Sequence, residues 1–417
     1  MKKAVVFTLG CKVNECESDS LITGLKEKGY QVSDKLEDAE LFIVNTCAVT
    51  SEAEKKSRQM ASRIFKISPN AKIIFTGCAT QKDSKAFLSK GENVLVTGVF
   101  NKNKILSMLD EQGERLSCES KEFEEGLPVS TLKTRAYVKV QDGCDNFCSY
   151  CIIPYLRGRS RSRNPQNILK EIQEISAYEI IINGINLSSY NYQGCDFAGL
   201  MQLLGVVKKR IRLGSLEVGV ITERLLSALK NLYDFAPHFH LSLQSGSNAV
   251  LKKMNRKYTR DEFIEKVDLI REFFPDAGIT TDIIAGFPTE TEQDFLDTIN
   301  LIDRVEFSDI HAFCYSPRSG TVAYKMQDLP GEVKRQRLNK LLEKKAICKE
   351  KFTNKMLGRV LEFIPEEEDD GLVSGYSQNY LRLYVEGKII DKKIKVKVRE
   401  PYRDGAKGII EKENKNG

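Results

Sequence analysis

The sequence is poor in the residues that usually carry acid–base chemistry and membrane anchoring. It has three histidines and no tryptophan among 417 residues. No apolar run approaches the roughly 20 residues that a membrane-spanning helix needs. Because Met1-Lys2-Lys3 leads directly into a strand-like run, no secretory segment is predicted, and we expect a cytoplasmic protein. Histidine chemistry has few candidates, so the eleven cysteines, reduced in that compartment, are the main candidate ligands.

The length and net charge leave room for a multidomain enzyme with a polyanionic partner. A chain of 417 residues exceeds the size at which one hydrophobic core usually suffices, so two or three domains are expected. The net charge of +6 permits binding to a polyanion without requiring it.

Three of the cysteines lie in one short loop. Cys144, Cys148 and Cys151 follow a strand-like run with C-x3-C-x2-C spacing. Thiolates suit zinc or iron–sulfur clusters, but structural zinc needs four protein ligands, and no fourth Cys or His follows within zinc-finger distance. A cluster held by three thiolates keeps one iron open for a substrate. The spacing favours such a cluster over a zinc knuckle with a distant fourth ligand or unrelated buried cysteines.

Three more cysteines follow strand-like runs in the first hundred residues. Cys11 follows the run 4–9, and Cys47 and Cys78 end the runs 41–47 and 72–78, with helical segments between them. This alternation predicts a parallel sheet with helices on both faces. Because loops at the carboxyl ends of parallel strands converge, the three thiols are predicted to hold a second cluster. The alternative is that each cysteine packs as a small apolar residue.

The middle of the chain predicts a partial or complete parallel barrel. Six strand-like runs alternate with helical spacers: 136–140, 179–182, 210–216, 238–243, 279–284 and 309–315. Function in such barrels lies at the carboxyl ends of the strands. Near those ends lie Asn183, Gln244, Asp282 and Gly286, which are predicted to bind a polar cofactor. Each of them could equally be an ordinary turn residue.

Two basic segments are candidates for contact with nucleic acid. Arg157 and Arg159 begin an alternating arginine series after the cysteine loop, which predicts phosphate binding, a solvated loop or pairing with internal carboxylates. Short strands after residue 353 predict a small β-barrel. Strand periodicity places four cations on one face there, which favours a nucleic-acid backbone over a merely solvated face: Lys393, Lys395, Lys397 and Arg399.

The cysteine loop GCDNFCSYC, followed by IIPYLRGRSRSR, resembles the radical S-adenosylmethionine superfamily and in particular its methylthiotransferases. The motifs LGCKVN, VNTCAV, TGCAT, HFHLSLQSGS, MNRKYT and TDIIAGFPTE stand in the order that the family shows. The resemblance implies an α/β multidomain protein with three parts. These are an N-terminal parallel-sheet domain (1–125), a radical core with a partial (βα)6 TIM-like barrel (130–352), and a small antiparallel β-barrel called TRAM (353–417). Residues 111–132 read as a linker.

The same resemblance implies the cofactors. Cys144, Cys148 and Cys151 would ligate a [4Fe-4S] cluster whose open iron binds S-adenosylmethionine, and electron transfer would cleave that cofactor to a 5′-deoxyadenosyl radical. Cys11, Cys47 and Cys78 would ligate a second [4Fe-4S] cluster that carries or supplies the sulfur. A second S-adenosylmethionine would provide the methyl group, and a protein such as flavodoxin or ferredoxin would donate electrons.

The first motif implies a substrate branch. Leu9-Gly10-Cys11-Lys12-Val13-Asn14 resembles the branch that methylthiolates C2 of N6-threonylcarbamoyladenosine at position 37, next to the tRNA anticodon, whereas the isopentenyladenosine branch usually shows YGCQMN. The chain departs from the usual pattern at Glu15 and Cys16. The alternatives are isopentenyladenosine in tRNA, a ribosomal protein and, in another class, a non-catalytic iron–sulfur RNA-binding protein.

Overall fold

A computed structural model describes residues 2–117, 120–126, 134–387 and 393–411. An N-terminal parallel sheet comes first, with strand order β2-β1-β3-β4-β5-β6. Its strands are β1 (Lys3–Thr8), β2 (Gln31–Ser33), β3 (Leu41–Thr46), β4 (Lys72–Gly77), β5 (Val94–Thr97) and β6 (Gly113–Arg115). Its helices are α1 (Lys12–Glu27), α2 (Ser51–Ile67), α3 (Cys78–Lys82) and α4 (Lys85–Leu88), with a 3-10 helix at Lys102–Ser107.

Both faces of this sheet are covered, as the alternation of strands and helices predicts. Strand β3 is buried throughout, because Phe42 packs into the core beneath Ile64 of α2 while Ile43 packs into a second core with Leu25 of α1. The strand order reverses between β1 and β3, which opens a crevice at their carboxyl ends.

Helix α1 begins at Lys12, directly after Cys11, so Cys16 lies inside the helix. The predicted linker differs from the structure. Strand β6 lies within the predicted linker, where it adds a sixth parallel strand by pairing with β5.

The central part forms the predicted partial barrel from six parallel strands in two sheets, with β7, β9 and β12 in one sheet and β15, β16 and β17 in the other. The strands here are β7 (Arg135–Asp142), β8 (Arg161–Ser162), β9 (Glu179–Gly184), β10 (Asn191–Tyr192), β11 (Cys195–Asp196), β12 (Arg210–Leu213), β13 (Ser215–Leu216), β14 (Asp234–Phe235), β15 (His238–Gln244), β16 (Gly278–Ala285) and β17 (Asp309–Cys314). The helices are α5 (Ile153–Arg157), α6 (Pro165–Glu174), α7 (Phe197–Leu203), α8 (Glu223–Lys230), α9 (Asn248–Lys253), α10 (Arg260–Phe273) and α11 (Glu292–Val305). Four 3-10 helices lie at Leu187–Ser189, Leu204–Val206, Val218–Val220 and Ala323–Lys325.

Alternate side chains of each barrel strand face opposite directions. In β15, Phe239, Leu241 and Leu243 pack in the core beneath the helices. His240 and Gln244 therefore face the other way, into the barrel interior, which we call the lumen. On each neighbouring strand, every second side chain also faces this lumen.

The C-terminal part is a closed five-stranded barrel, as predicted. Helix α12 (Gly331–Met356) leads into β18 (Val360–Asp369), β19 (Leu372–Ser377), β20 (Arg382–Glu386), β21 (Ile394–Tyr402) and β22 (Gly405–Ile410). The acidic residues 366–369 belong to β18, and the chain reverses at Asp370 and Gly371.

The three parts meet at opposite ends of the central barrel. The C-terminal barrel covers the amino ends of the strands, where a Cβ on Gly278 would lie 2.1 Å from the Asn379 carbonyl oxygen. The N-terminal sheet lies at the carboxyl ends, where Arg318 donates to Val49 O (3.1 Å) and to Glu54 (3.0 Å). Within the described ranges, no helix combines the length and apolarity needed to cross a membrane.

Candidate cluster and cofactor site

Cys11, Cys47 and Cys78 gather at the crevice of the N-terminal sheet, as predicted. They follow β1, β3 and β4 in turn. Gly10 makes the approach possible: its φ is +103°, and a Cβ there would lie 2.6 Å from Cys47 Sγ. Burial raises the pKa of Cys47 to about 11, and the charges of Cys78 and Cys11 raise it as well. The three thiols are therefore neighbours, and a bound cation is needed to stabilise their thiolates.

Cys144, Cys148 and Cys151 lie in a tightly folded loop after β7. The loop closes on itself because Cys144 N donates to Gly158 O (3.1 Å) and Cys151 N donates to Cys148 O (2.9 Å). Burial raises the pKa of Cys151 to about 12, and the Cys148 and Cys144 charges raise it further. Like the first set, these three thiols lie close together, and a bound cation is needed to stabilise their thiolate forms.

The donor count of both sets fits a cluster better than a structural zinc ion. A structural zinc site takes four protein ligands. Each set offers three thiols, and three thiolates are the donor set of a cluster with an open iron.

Polar side chains from other strands support the Cys144 loop. Arg256 Nη1 lies 3.4 Å from Cys148 Sγ, and Asn186 Nδ2 lies 3.8 Å from Cys144 Sγ. Glu217 holds both Arg256 (2.7 Å) and Asn146 (2.7 Å). The sequence predicted no role for these residues, although Arg256 lies within the MNRKYT motif.

The four predicted cofactor residues separate into two groups. Asn183 and Gln244 lie at the carboxyl ends of β9 and β15, and the buried Asn183 Nδ2 has no hydrogen-bond partner among the described residues. An unpartnered buried amide at the predicted rim fits a polar cofactor. Asp282 and Gly286 form the second group, and both already contact other residues of the protein. Asp282 lies against His240 and His311, and Gly286 N donates to Glu290 (3.0 Å).

Arg157 is buried and pairs with internal carboxylates. The predicted binding of an external phosphate by this residue is therefore wrong. Its side chain is 1% exposed. Its guanidinium binds Glu17 (2.8 Å) and Asp142 (3.1 Å) through Nη1 and Asn14 (2.9 Å) through Nη2. The alternating pattern was visible in the sequence, but the carboxylates that bury this arginine come from distant segments. Arg159 is exposed, lies over the Phe147 ring and remains a predicted RNA contact.

A buried ionic network joins the two cysteine sets. Glu17 of α1 binds Lys102, Lys139 and Arg157, and Asp142, two residues before Cys144, binds Lys139 and Arg157. Burial alone would raise the pKa of Glu17, but these cations hold it well below its usual range. The helix that follows Cys11 is thus fixed to the strand that precedes Cys144.

A second contact between the two sets is apolar. Helix α5 begins two residues after Cys151 and packs against α3, which begins with Cys78. Ile152 and Leu156 belong to the core of the N-terminal sheet. The two cysteine loops therefore share one packed interface.

Lys395 and Lys397 lie on one face of β21, because Val396 and Val398 beside them are buried, whereas Lys393 precedes the strand and Arg399 lies at a register shift. Lys393 binds Asp234 (3.0 Å) and Glu362 (2.8 Å), so it joins the two barrels. Lys395 and Arg399 are exposed and Lys397 is half-buried. These three remain predicted RNA contacts.

Two family models match the chain. The Radical SAM superfamily matches residues 138–302, and the family described as Uncharacterized protein family UPF0004 matches residues 3–98. The two matches cover the barrel cysteines and the N-terminal cysteines respectively.

Curated relatives match nearly end to end. The "Threonylcarbamoyladenosine tRNA methylthiotransferase MtaB" of Bacillus subtilis (strain 168) is 35% identical over 97% of this chain and 96% of that protein. The protein of the same name from Chlamydia pneumoniae is 39% identical over 88% of each chain. The "tRNA-2-methylthio-N(6)-dimethylallyladenosine synthase" of Thermoanaerobacter sp. (strain X514) is 36% identical over 95% of this chain and 90% of that protein.

A solved structure shares the fold. The radical S-adenosylmethionine methyltransferase TsrM from Kitasatospora setae, with cobalamin and a [4Fe-4S] cluster bound, matches with a TM-score of 0.57 at 12% identity. The match covers 78% of this chain and 74% of that one.

Proposed function

Because the chain belongs to the radical S-adenosylmethionine tRNA methylthiotransferases, we propose that it methylthiolates C2 of N6-threonylcarbamoyladenosine at position 37 of tRNA, giving the 2-methylthio derivative. The observation that supports this most strongly is the interface shared by two sets of three cysteines. One set alone would suffice for cleavage of S-adenosylmethionine, whereas a second set provides a place for sulfur close to the first.

The cofactors are two [4Fe-4S] clusters and S-adenosylmethionine, which when bound supply the electron, the radical, the sulfur and the methyl group. The protein positions them. Cys144, Cys148 and Cys151 are the ligands at the barrel, and Cys11, Cys47 and Cys78 are the ligands at the sheet. Asn183 and Gln244 at the barrel rim offer polar contacts to S-adenosylmethionine, and the packed interface excludes water from the region between the cysteine sets.

The choice of nucleoside rests on two features. The LGCKVN motif is of the threonylcarbamoyladenosine type, and relatives of that name are 35–39% identical to this chain. Relatives named for dimethylallyladenosine are 32–36% identical, so identity alone separates the branches weakly and the motif decides.

The remaining assignments extend the same proposal. The enzyme acts in the cytoplasm and receives electrons from a flavodoxin or ferredoxin. Its functional domains are 1–125, 130–352 and 353–417, and the cations Arg159, Lys395, Lys397 and Arg399 contact tRNA. Support comes from the reduced thiols required as ligands and from the basic face of β21.

Anaerobic activity on defined tRNA tests the proposal. The protein is reconstituted with iron and sulfide and incubated with reductant, S-adenosylmethionine and tRNA from a strain lacking methylthio modifications. Mass spectrometry of digested nucleosides should show 2-methylthio-N6-threonylcarbamoyladenosine. Formation of the methylthio derivative of isopentenyladenosine alone would overturn the choice of nucleoside. Absence of any methylthio nucleoside, with clusters in place and deoxyadenosine released, would overturn tRNA as the substrate.

A further inference from the structure

Two of the three histidines in the chain meet at one carboxylate inside the barrel. His240 lies on β15, Asp282 on β16 and His311 on β17. Asp282 pairs with His311 in the strand register, and His240 pairs with Thr280, which lies two residues before Asp282 and on the same face. The three side chains therefore enter the lumen side by side, and their ligand atoms all lie within 4.8 Å of one another.

The distances between the three side chains match those between ligands of one metal ion. His240 Nε2 lies 3.2 Å from Asp282 Oδ2, and His311 Nδ1 lies 3.5 Å from Asp282 Oδ1. Ordinary N–H···O bonds cluster near 2.9–3.0 Å and rarely exceed about 3.2 Å. Ligands held about 2.0–2.2 Å from one metal ion lie about 3.0–3.5 Å from each other.

The ring of His240 is held in the orientation that a ligand needs. Its Nδ1 lies 2.9 Å from the Thr280 hydroxyl, which leaves Nε2 directed at Asp282. The same hydroxyl lies 2.9 Å from Nε2 of the buried His238. A hydrogen bond to the second ring nitrogen is the usual support of a metal-binding histidine.

The site is accessible from outside. The side chains of Asp282 and His311 are 29% and 43% exposed. Strand β17 is at the edge of its sheet, and a cavity of about 260 Å³ reaches His311 and Thr280 from the side of the C-terminal barrel. An ion could therefore enter, and part of its coordination sphere would remain open.

We propose that His240, Asp282 and His311 form a mononuclear site for a divalent first-row transition metal, separate from both cysteine sets. Two imidazoles and one carboxylate suit zinc and iron(II), and the remaining positions face the lumen. Metal binding at this site requires neutral imidazoles and an ionised carboxylate. The site does not depend on the proposed reaction, because its ligands belong to neither cluster.

Metal counting on the holoenzyme tests the site. The protein with both clusters reconstituted is freed of loose metal by chelation, equilibrated with zinc and desalted, and its zinc and iron are measured together. We expect about one zinc per chain beyond the cluster iron. His311→Ala and Asp282→Asn should lose this zinc while keeping their iron and their circular dichroism. The matched control is Asp309→Asn, which alters the same edge strand two residues away, where Asp309 pairs with Lys345 instead.

The ligand identity provides a second readout. Zinc-edge X-ray absorption of the loaded wild type should show nitrogen and oxygen neighbours only. Sulfur neighbours would mean that zinc has bound to cluster cysteines and would overturn the proposal. Failure of the wild type to retain zinc, iron(II) or manganese(II), or equal retention by His311→Ala, would also overturn it.

Discussion

The two ends of the central barrel are both joined to a neighbouring part of the chain through a buried arginine, but they differ in the other side chains gathered there. At the amino end, Arg212 binds Glu179 (2.8 Å) and the carbonyl oxygens of Ser377 (3.0 Å) and Gln378 (3.2 Å). At the carboxyl end, Arg157 binds Glu17, Asp142 and Asn14, and the six thiols of the two cysteine sets lie nearby.

This difference separates a structural end from a functional one. Tyr380 of the C-terminal barrel stacks on His238 with ring centroids 4.2 Å apart and completes the closure of the amino end. The carboxyl end holds both cysteine sets, and the amino end provides the rigid base.

The largest effect is expected from removing a barrel thiol. Cys144→Ala should reduce the release of deoxyadenosine to background, because the barrel cluster loses one of its three protein ligands. Iron should fall from about eight to about four atoms per chain, since the second cluster keeps its ligands. Iron counting and chromatography of the products measure both changes.

The control for this change is Cys195→Ala. Cys195 is half-buried on β11 and lies outside both cysteine sets, so iron and deoxyadenosine should match the wild type. If Cys144→Ala kept full iron and activity, the carboxyl end of the barrel would not be the functional end.

The second prediction compares the two buried arginines. Arg157→Met and Arg212→Met should each lower the free energy of unfolding by up to about 3–5 kcal/mol, because each leaves a buried carboxylate with fewer cations. Glu17 keeps Lys102 and Lys139, and Glu179 keeps Arg135, so the losses should fall toward the lower end. Denaturant unfolding under anaerobic conditions measures both.

The two variants should differ at the clusters. Arg157 contributes to the electrostatics of Cys11, so its replacement should alter the occupancy or reduction potential of the N-terminal cluster. Arg212→Met should leave both unchanged. Equal effects of the two changes on that cluster would contradict the division between a structural and a functional end.

The smallest effect is expected on the outer face of the C-terminal barrel. Lys395→Ala should weaken tRNA binding and lower the slope of log affinity against log salt by about 0.7–0.9, the value for one lost phosphate contact. Lys393→Ala is the matched control, because Lys393 is already paired with Asp234 and Glu362. If Lys395→Ala left the slope of log affinity against log salt unchanged, β21 would not be part of the RNA-binding surface.

Much of this arrangement could be predicted from local sequence. Period-two and strand–helix patterns predicted the sheet, the six barrel strands and the small barrel, because those patterns reflect which faces are buried. The convergence of Cys11, Cys47 and Cys78 followed from the rule that loops after parallel strands meet at one edge.

The other features depend on pairings between distant segments. The burial of Arg157 requires Glu17, which lies 140 residues earlier, and the engagement of Lys393 requires Asp234. The meeting of His240 with His311 depends on the register of three strands. Local patterns locate such residues on a face but do not indicate which partner is opposite.

The position of the C-terminal barrel sets a length requirement on any RNA that touches both ends of the molecule. Strand β16 has eight residues, so it is about 25 Å long at roughly 3.3 Å per residue. On the proposed function, a nucleotide that reaches the cysteine end while its RNA backbone rests on β21 must bridge a distance of that order. A rigid, folded RNA can do so at little entropic cost, whereas a short flexible fragment cannot, so we expect folded tRNA to be preferred over a short fragment.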